Sequence, residues 1–165
     1  MGLDMYLYRR THLRTAEYYP AEMRETVSIL NSDDTPNLTV QPSRITSVIE
    51  EVLYWRKANM IHKWFVDNIQ DGEDDCAEYP VSSEYLIDLR NVCEAISKLY
   101  NKGEVDEAKL LGKKTLSIGG GFFFGSSDID EWYFRECEDT QKAIDDLLKE
   151  EKINASVSYF YRSSW

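Results

Sequence analysis

Histidine is scarce in this chain, with two residues in 165, and cysteine is nearly so, with three. His12 and His62 are therefore the only ordinary neutral-pH bases on offer, and no GxSxG elbow or adjacent Cys–His pair accompanies them, so the sequence leans away from an enzyme. Cys76, Cys93 and Cys137 are an odd number without a CxxC pair. They read as reduced thiols, neither a disulfide framework nor a zinc site. No apolar run approaches the ~20 residues that cross a bilayer, so no membrane association is expected. The opening Met1-Gly2-Leu3-Asp4-Met5 has no basic stretch followed by an apolar one, and Tyr6 stands where a myristoylation motif wants Ser or Thr. A cytoplasmic location is expected. Basic residues are also in short supply: 19 Lys and Arg face 30 Asp and Glu, for a net charge of −11. That balance argues against direct nucleic-acid binding, which needs clustered cations.

What is present is enough apolar material to fold. The hydrophobic fraction is 42% and the aromatic fraction 13%, with eleven Tyr, which excludes an intrinsically disordered chain. A length of 165 residues suits a single domain spanning 1–165 with its own core. The acid excess is concentrated in two places. Residues 67–88 hold eight acids and no Lys or Arg, and residues 128–151 hold ten acids against Arg135, Lys142 and Lys149. Such segments suit a basic protein partner, and they equally suit a purely solubilising surface.

Periodicity sketches an α+β fold. Leu3 to Arg9 alternates as a strand, and Val157, Tyr159 and Tyr161 alternate in a closing strand. Glu25 to Leu30 and Asn37 to Gln41 flank the turn-rich Asn31-Ser32-Asp33-Asp34-Thr35-Pro36 and suggest a hairpin. A long helix is expected from Ser43 to about Gln70, stopped by Asp71-Gly72. A second is expected from Ser83 to Tyr100, with Leu86, Leu89, Val92, Cys93, Ile96 and Leu99 on one stripe. A short helical turn follows at 104–111. A third long helix follows Gly125-Ser126-Ser127, with Ser127 as N-cap and Ile129, Trp132, Tyr133, Cys137, Ile144, Leu147 and Leu148 inward. The expected architecture is an antiparallel sheet containing the N- and C-terminal strands, covered by about three helices.

The segment 54–65 carries the richest constellation. Laid on a helix at ~100° per residue, Tyr54, Ala58, Ile61, Phe65 and Ile69 form one apolar stripe and Leu53, Met60 and Trp64 a second nearly opposite. Between them run Arg56, Asn59, His62 and Lys63, with Trp55 at the edge. Two apolar faces imply burial between layers, or a contact with another protein or a second copy of the chain. Trp55, Arg56, Asn59, His62 and Lys63 are thus candidate ligand-binding residues for a planar anion such as a nucleotide, with Trp stacking, Arg pairing charge and Asn reading an edge. The same polar residues also fit satisfied core-edge groups. Leu53, Met60 and Trp64, with Asp71, Glu73, Asp74 and Asp75, are candidate partner-binding residues. The acids at 71–75 lack EF-hand order, so no metal is assigned, and a metal-dependent hydrolase using them with His62 ranks last. Gly119-Gly120-Gly121 lacks the P-loop Lys and is read as a turn into Phe122-Phe123-Phe124. No cofactor is implied.

Several blocks resemble a family of small phage and prophage proteins: Met1-Gly2-Leu3-Asp4-Met5-Tyr6-Leu7, Tyr54-Trp55-Arg56-Lys57-Ala58-Asn59, Ile61-His62-Lys63-Trp64-Phe65-Val66-Asp67-Asn68, Gln70-Asp71-Gly72, Gly121-Phe122-Phe123-Phe124-Gly125-Ser126, Asp130-Glu131-Trp132-Tyr133 and Ser163-Ser164-Trp165. The chain departs from that pattern at Leu53 and at Leu116-Ser117-Ile118-Gly119. The resemblance implies a phage or mobile-element origin and supplies no reaction. Together with the acidic surface it points to a non-enzymatic binding protein, a candidate inhibitor of a host defence nuclease in the host cytoplasm. A nucleotide-like small-molecule binder is the alternative.

Overall fold

The computed structural model describes residues 2–17, 19–120, 128–151 and 157–165. Four strands, β1 (Asp4–His12), β2 (Ser47–Arg56), β3 (Tyr79–Val81) and β4 (Val157–Ser164), form one antiparallel sheet in the order β2-β1-β4-β3. Four α-helices complete the described residues: α1 (Asn59–Ile69), α2 (Ser83–Asn101), α3 (Val105–Thr115) and α4 (Glu131–Glu151). The two terminal strands lie side by side at the centre, with Leu7 opposite Tyr161 and Met5 opposite Ser163. The α+β class and the antiparallel sheet holding both terminal strands are therefore as the alternation of residues 3–9 and 157–161 implies.

Alternation divides the sheet into two unlike faces. Leu3, Met5, Leu7, Trp55, Tyr159 and Tyr161 are buried and point toward the helices. Tyr6, Tyr8, Arg10, Tyr54, Phe160 and Arg162 point the other way and are half-buried or exposed. On the inner side α4 docks through Thr140, whose hydroxyl accepts a hydrogen bond of 2.9 Å from the Trp55 indole. The α1 helix docks through Phe65, whose ring stacks on Tyr161 with centroids 3.9 Å apart and planes 8° from parallel. Stacked and edge-on aromatic pairs add about 0.5–1.5 kcal/mol beyond the area they bury. The Cys93 and Cys137 thiols are buried side by side where α2 meets α4. The Cys137 thiol and then burial hold Cys93 well above the usual thiol range, as suits inert core cysteines.

The long helix expected over 43–70 is two elements. Residues 47–56 form β2, paired to β1 from Asp4↔Arg56 through His12↔Ser47 with a bulge at Leu7/Tyr8. Lys57 takes a left-handed backbone (φ 59°), and its N–H bonds Leu3 O at 2.8 Å, so the strand ends there and α1 begins two residues on. The helical stripes drawn across this segment mixed a period of 2 with a period of 3.6; Val48, Ile49, Val52 and Tyr54 suit a strand.

Smaller corrections follow the same logic. The turn at Asn31–Thr35 forms, closed by Asn31 N–H to Thr35 O at 2.8 Å, but its flanks make only the isolated bridge Leu30↔Pro36. Residues 42–44 form a 3-10 turn. The turn expected at 104–111 extends to the eleven-residue α3. The β3 strand leaves no alternating signature in the sequence, since it is three residues long and contains Pro80, tolerated at a sheet edge. The Asp130 carboxylate accepts from Tyr133 N–H at 3.1 Å at the start of α4, while Ser127 and the triple Phe lie outside the described residues. Trp132, expected inward, is 37% exposed. Among the described residues no helix is long and apolar enough to cross a membrane.

Gly112 sits inside α3, where glycine ordinarily costs about 0.5–1 kcal/mol relative to Ala. Here a Cβ would lie 2.7 Å from the Tyr133 hydroxyl, which is buried and donates to Leu116 O at 2.9 Å. Gly112→Ala is therefore expected to destabilise the chain by about 1–3 kcal/mol in urea unfolding, reversing the usual sign. The penalty should shrink in a Tyr133→Phe background, which removes the nearest atom.

Candidate functional site

The polar centre of the molecule grows from α1 and the loop after it. Six of the eleven residues of α1 are buried, including Asn59 and His62 at 2% exposure each. The helix stops at Gln70, whose N–H reaches Phe65 O, and Asp71 (φ 52°) and Gly72 (φ 83°) turn the chain back in left-handed conformations. That reversal follows the usual chemistry of a helix C-terminus. It returns Asp74 to His62, twelve positions earlier, with Asp74 Oδ2 2.9 Å from His62 Nε2. The other imidazole nitrogen, Nδ1, lies 2.7 Å from the Tyr161 hydroxyl on β4. Asp74 Oδ1 accepts a further bond of 3.0 Å from the Trp165 indole.

Indole, carboxylate, imidazole and phenol thus form one hydrogen-bonded chain across three elements. An ionised carboxylate can only accept, so Nε2 is the donor to Asp74, and in the neutral ring Nδ1 then accepts from the phenol. Burial, and then the charge of Asp74, push the Tyr161 hydroxyl well above its ordinary range, which keeps it a protonated donor. Both ring nitrogens of His62 are engaged, and Tyr161 is fully buried against Phe65. The reactive ends of this relay point at one another, so its evident work is to tie α1, the 70–76 loop and β4 together. An adjoining cleft of about 210 Å³ is lined by His62, Lys63, Val66, Asp67, Asp74 and Ile118 with the backbone of Gly119 and Gly120. That is below the roughly 300–1,000 Å³ of common ligand pockets. Lys63, at its rim, is paired with Asp67 at 2.6 Å.

The residues singled out from sequence are only partly brought together. Asn59, His62 and Lys63 share α1, but Trp55 and Arg56 belong to β2 and face opposite sides of the sheet. Trp55 is core, and Arg56 is 68% exposed, 3.9 Å from Asp4. The five do not form a common pocket, because a strand separates neighbours that a helix would have kept near one another. The proposed second apolar stripe is also dissolved: Met60 and Trp64 are buried in the core, and Leu53 is half-buried beside Leu7 on the inner face. Asp71, Glu73 and Asp75 are exposed, whereas Asp74 is engaged as described. Tyr161 and Trp165 were absent from the candidate residues. Alternation marked Tyr161 as inward-facing, but no spacing links positions 62, 74, 161 and 165.

The two acidic segments differ in the structure. On α4 five of the eight carboxylates have a cation of the chain beside them: Glu138 has Lys142 at 2.6 Å, Asp139 Arg135 at 4.0 Å, Asp146 Lys149 at 2.8 Å, Asp145 Arg90 at 2.8 Å and Glu150 Arg9 at 2.6 Å. In 67–88, Asp67 and Glu78 pair with Lys63 and Arg10. Asp71, Glu73, Asp75, Glu84 and Asp88 are exposed and form no ion pair among the described residues. Also on α4, desolvation, and then the neighbouring Asp139, raise the Glu136 carboxyl to about 7. No family model, no curated protein and no solved structure matches the chain.

His62→Ala strands the buried Tyr161 hydroxyl and releases Asp74 and Trp165, and is expected to cost about 2–4 kcal/mol in chemical unfolding. A loss under about 0.5 kcal/mol would deny the relay its structural role. Glu136 gives a pH test. Its folded-state pKa lies above the usual 4.5, so the folded state holds the proton longer. Stability is then lost as pH rises from the unfolded value toward 7 and stays lower above it. Glu136→Gln should match the native chain at pH about 4 and exceed it at pH about 8 by roughly 1–2 kcal/mol, after allowance for partial exposure.

Proposed function

We propose that this chain is a non-enzymatic binding protein of phage or mobile-element origin that docks on a basic protein surface, acting in the host cytoplasm as an inhibitor of a defence nuclease. The observation that carries this reading is the unequal pairing of the two acidic segments. Five of the eight acids of α4 lie against cations of the chain itself. Among the described residues Asp71 and Glu73 of the loop and Glu84 and Asp88 in the first turns of α2 have no such partners and remain available to an external one, while the exposed Asp75 carboxylate accepts only from Ala77 N–H and the Tyr79 hydroxyl. Charge of that kind steers association and selects basic partners more than it adds raw affinity. Exposed apolar groups accompany it: Tyr85 is 42% and Ile87 41% exposed on the same stretch of α2. An interface needs such anchors beside its charge, since exposed ion pairs alone contribute little. The His62 relay supports the reading by holding the acidic loop to the core through Asp74, which limits the ordering cost of binding.

A five-site neutralised variant (Asp71→Asn, Glu73→Gln, Asp75→Asn, Glu84→Gln, Asp88→Asn) separates this reading from a merely solubilising charge. The native chain, immobilised and exposed to bacterial lysate at low ionic strength, is expected to retain a basic nucleic-acid-processing protein. The variant should lose it, and so should the native chain at about 0.5 M salt, where the Debye length falls to a few ångströms. Retention of the same proteins by both chains, or of none by either, would defeat the proposal.

A further inference from the structure

The sheet face turned away from the helices carries a second chemistry. Its cross-strand rows run Arg56–Asp4–Ser164, Tyr54–Tyr6–Arg162, Glu51–Tyr8–Phe160–Pro80 and Ile49–Arg10–Ser158. Four aromatic rings occupy the two middle rows. Tyr6 and Tyr8 are stacked, with centroids 5.9 Å apart and planes 11° from parallel, and Tyr54 lies 5.4 Å from Tyr6. The Arg10 guanidinium sits 4.3 Å over the Phe160 ring. Tyr54 is 49% exposed even though its hydroxyl donates to Asp4. These rings are not core, because Met5, Leu7, Trp55 and Tyr161 already fill the inner side of the same strands.

Charge on this face departs from that of the whole chain. Arg10, Arg56 and Arg162 meet Asp4, Glu51 and the adjacent Glu78, so the face is neutral on a protein of net charge −11. The internal pairings are loose: Arg56 to Asp4 is 3.9 Å and Arg10 to Glu78 is 3.5 Å. Arg162 is exposed, one row from Phe160, and makes no hydrogen bond or ion pair among the described residues. The acids of α4 lie on the other side of the sheet, about 10 Å away across the layer and near one Debye length at moderate salt.

We propose that this face binds single-stranded nucleic acid, with bases stacking on Tyr54, Tyr6, Tyr8 and Phe160 and phosphates pairing with Arg162, Arg56 and Arg10. Rings on a pleated sheet accept any base because every base has a π-face, and guanidinium groups pair phosphate oxygens and stack as well. Three arginines interleaved with the rings, Arg162 among them with no hydrogen bond or ion pair among the described residues, favour an anionic strand over a neutral sugar polymer. The net charge that argues against such a ligand is a sum over the whole surface, whereas a short strand meets only the face it lies on. This surface is independent of the acidic loop, so either proposal can fail without the other.

The test is fluorescence anisotropy of the full chain with labelled oligothymidylate and oligouridylate of about 15 nucleotides. Saturable binding is expected, weakening about twentyfold between about 50 mM and about 200 mM salt if three phosphates are contacted. Tyr54→Ala should weaken it about tenfold while Tyr54→Phe, which keeps the ring, retains it. Arg162→Ala, at an exposed site where folding is not at risk, should weaken binding and reduce the salt slope by about 0.7. The proposal is overturned if neither oligomer binds saturably at low salt, if Arg162→Ala and Tyr54→Ala leave binding unchanged, or if a duplex of equal length binds as well.

Discussion

Phe65 and Tyr161 lie face to face in the middle of the molecule, and most of the arrangement depends on that contact. Phe65 is on α1 and Tyr161 on the central strand β4, so the stack sets how the first helix lies on the sheet. One helical turn before Phe65, His62 then meets the hydroxyl of the same tyrosine at 2.7 Å. An apolar face contact and a buried polar contact thus address a single side chain, which fixes both the distance and the rotation of α1. The Asp74 carboxylate extends the constraint to the 70–76 loop, and the Trp165 indole extends it to the end of β4. The buried part of this network is His62 with Tyr161, and a buried polar contact of this kind has value only when its atoms are paired, as both imidazole nitrogens are.

The same constraint makes the histidine an anchor: both of its ring nitrogens meet neighbours inside the protein, and the Tyr161 side chain that one of them meets is fully buried. What the network leaves outside is a loop on which the Asp71 and Glu73 carboxylates are exposed to solvent. On the far side of the sheet the reverse holds. Aromatic and guanidinium groups alternate along cross-strand rows of an open sheet face, which suits a flat, extended ligand better than a small enclosed one.

The gross charge of a chain is a weak guide to where that charge acts. Residues 67–88 and 128–151 look alike in composition, both strongly acidic. The structure separates them because Arg9 of β1 and Arg90 of α2 reach across to α4 from 141 and 55 positions away. Among the described residues no cation pairs with Asp71, Glu73 or Asp75. Pairing between distant segments is a property of the fold, and no local count of acids and bases contains it.

Much of the fold was legible in local pattern. Alternation at 3–9 and 157–161 identified the paired central strands, and the 3.6-residue stripe from Leu86 to Leu99 identified α2 almost to the residue. Period and capping are set by neighbours within a turn or two, so the sequence by itself determined which of these segments are strands and which are helices. It did not determine residues 47–56, where β-branched and aromatic side chains fit either period and pairing with β1 made the choice. Nor did it determine which polar residues meet. Trp55 and Arg56 are adjacent in sequence and lie on opposite sides of the sheet, while His62, Asp74, Tyr161 and Trp165 are scattered and meet. Side-chain direction follows from local geometry once the element is known; proximity between elements follows only from how the chain closes on itself, and that is what the tertiary structure decided.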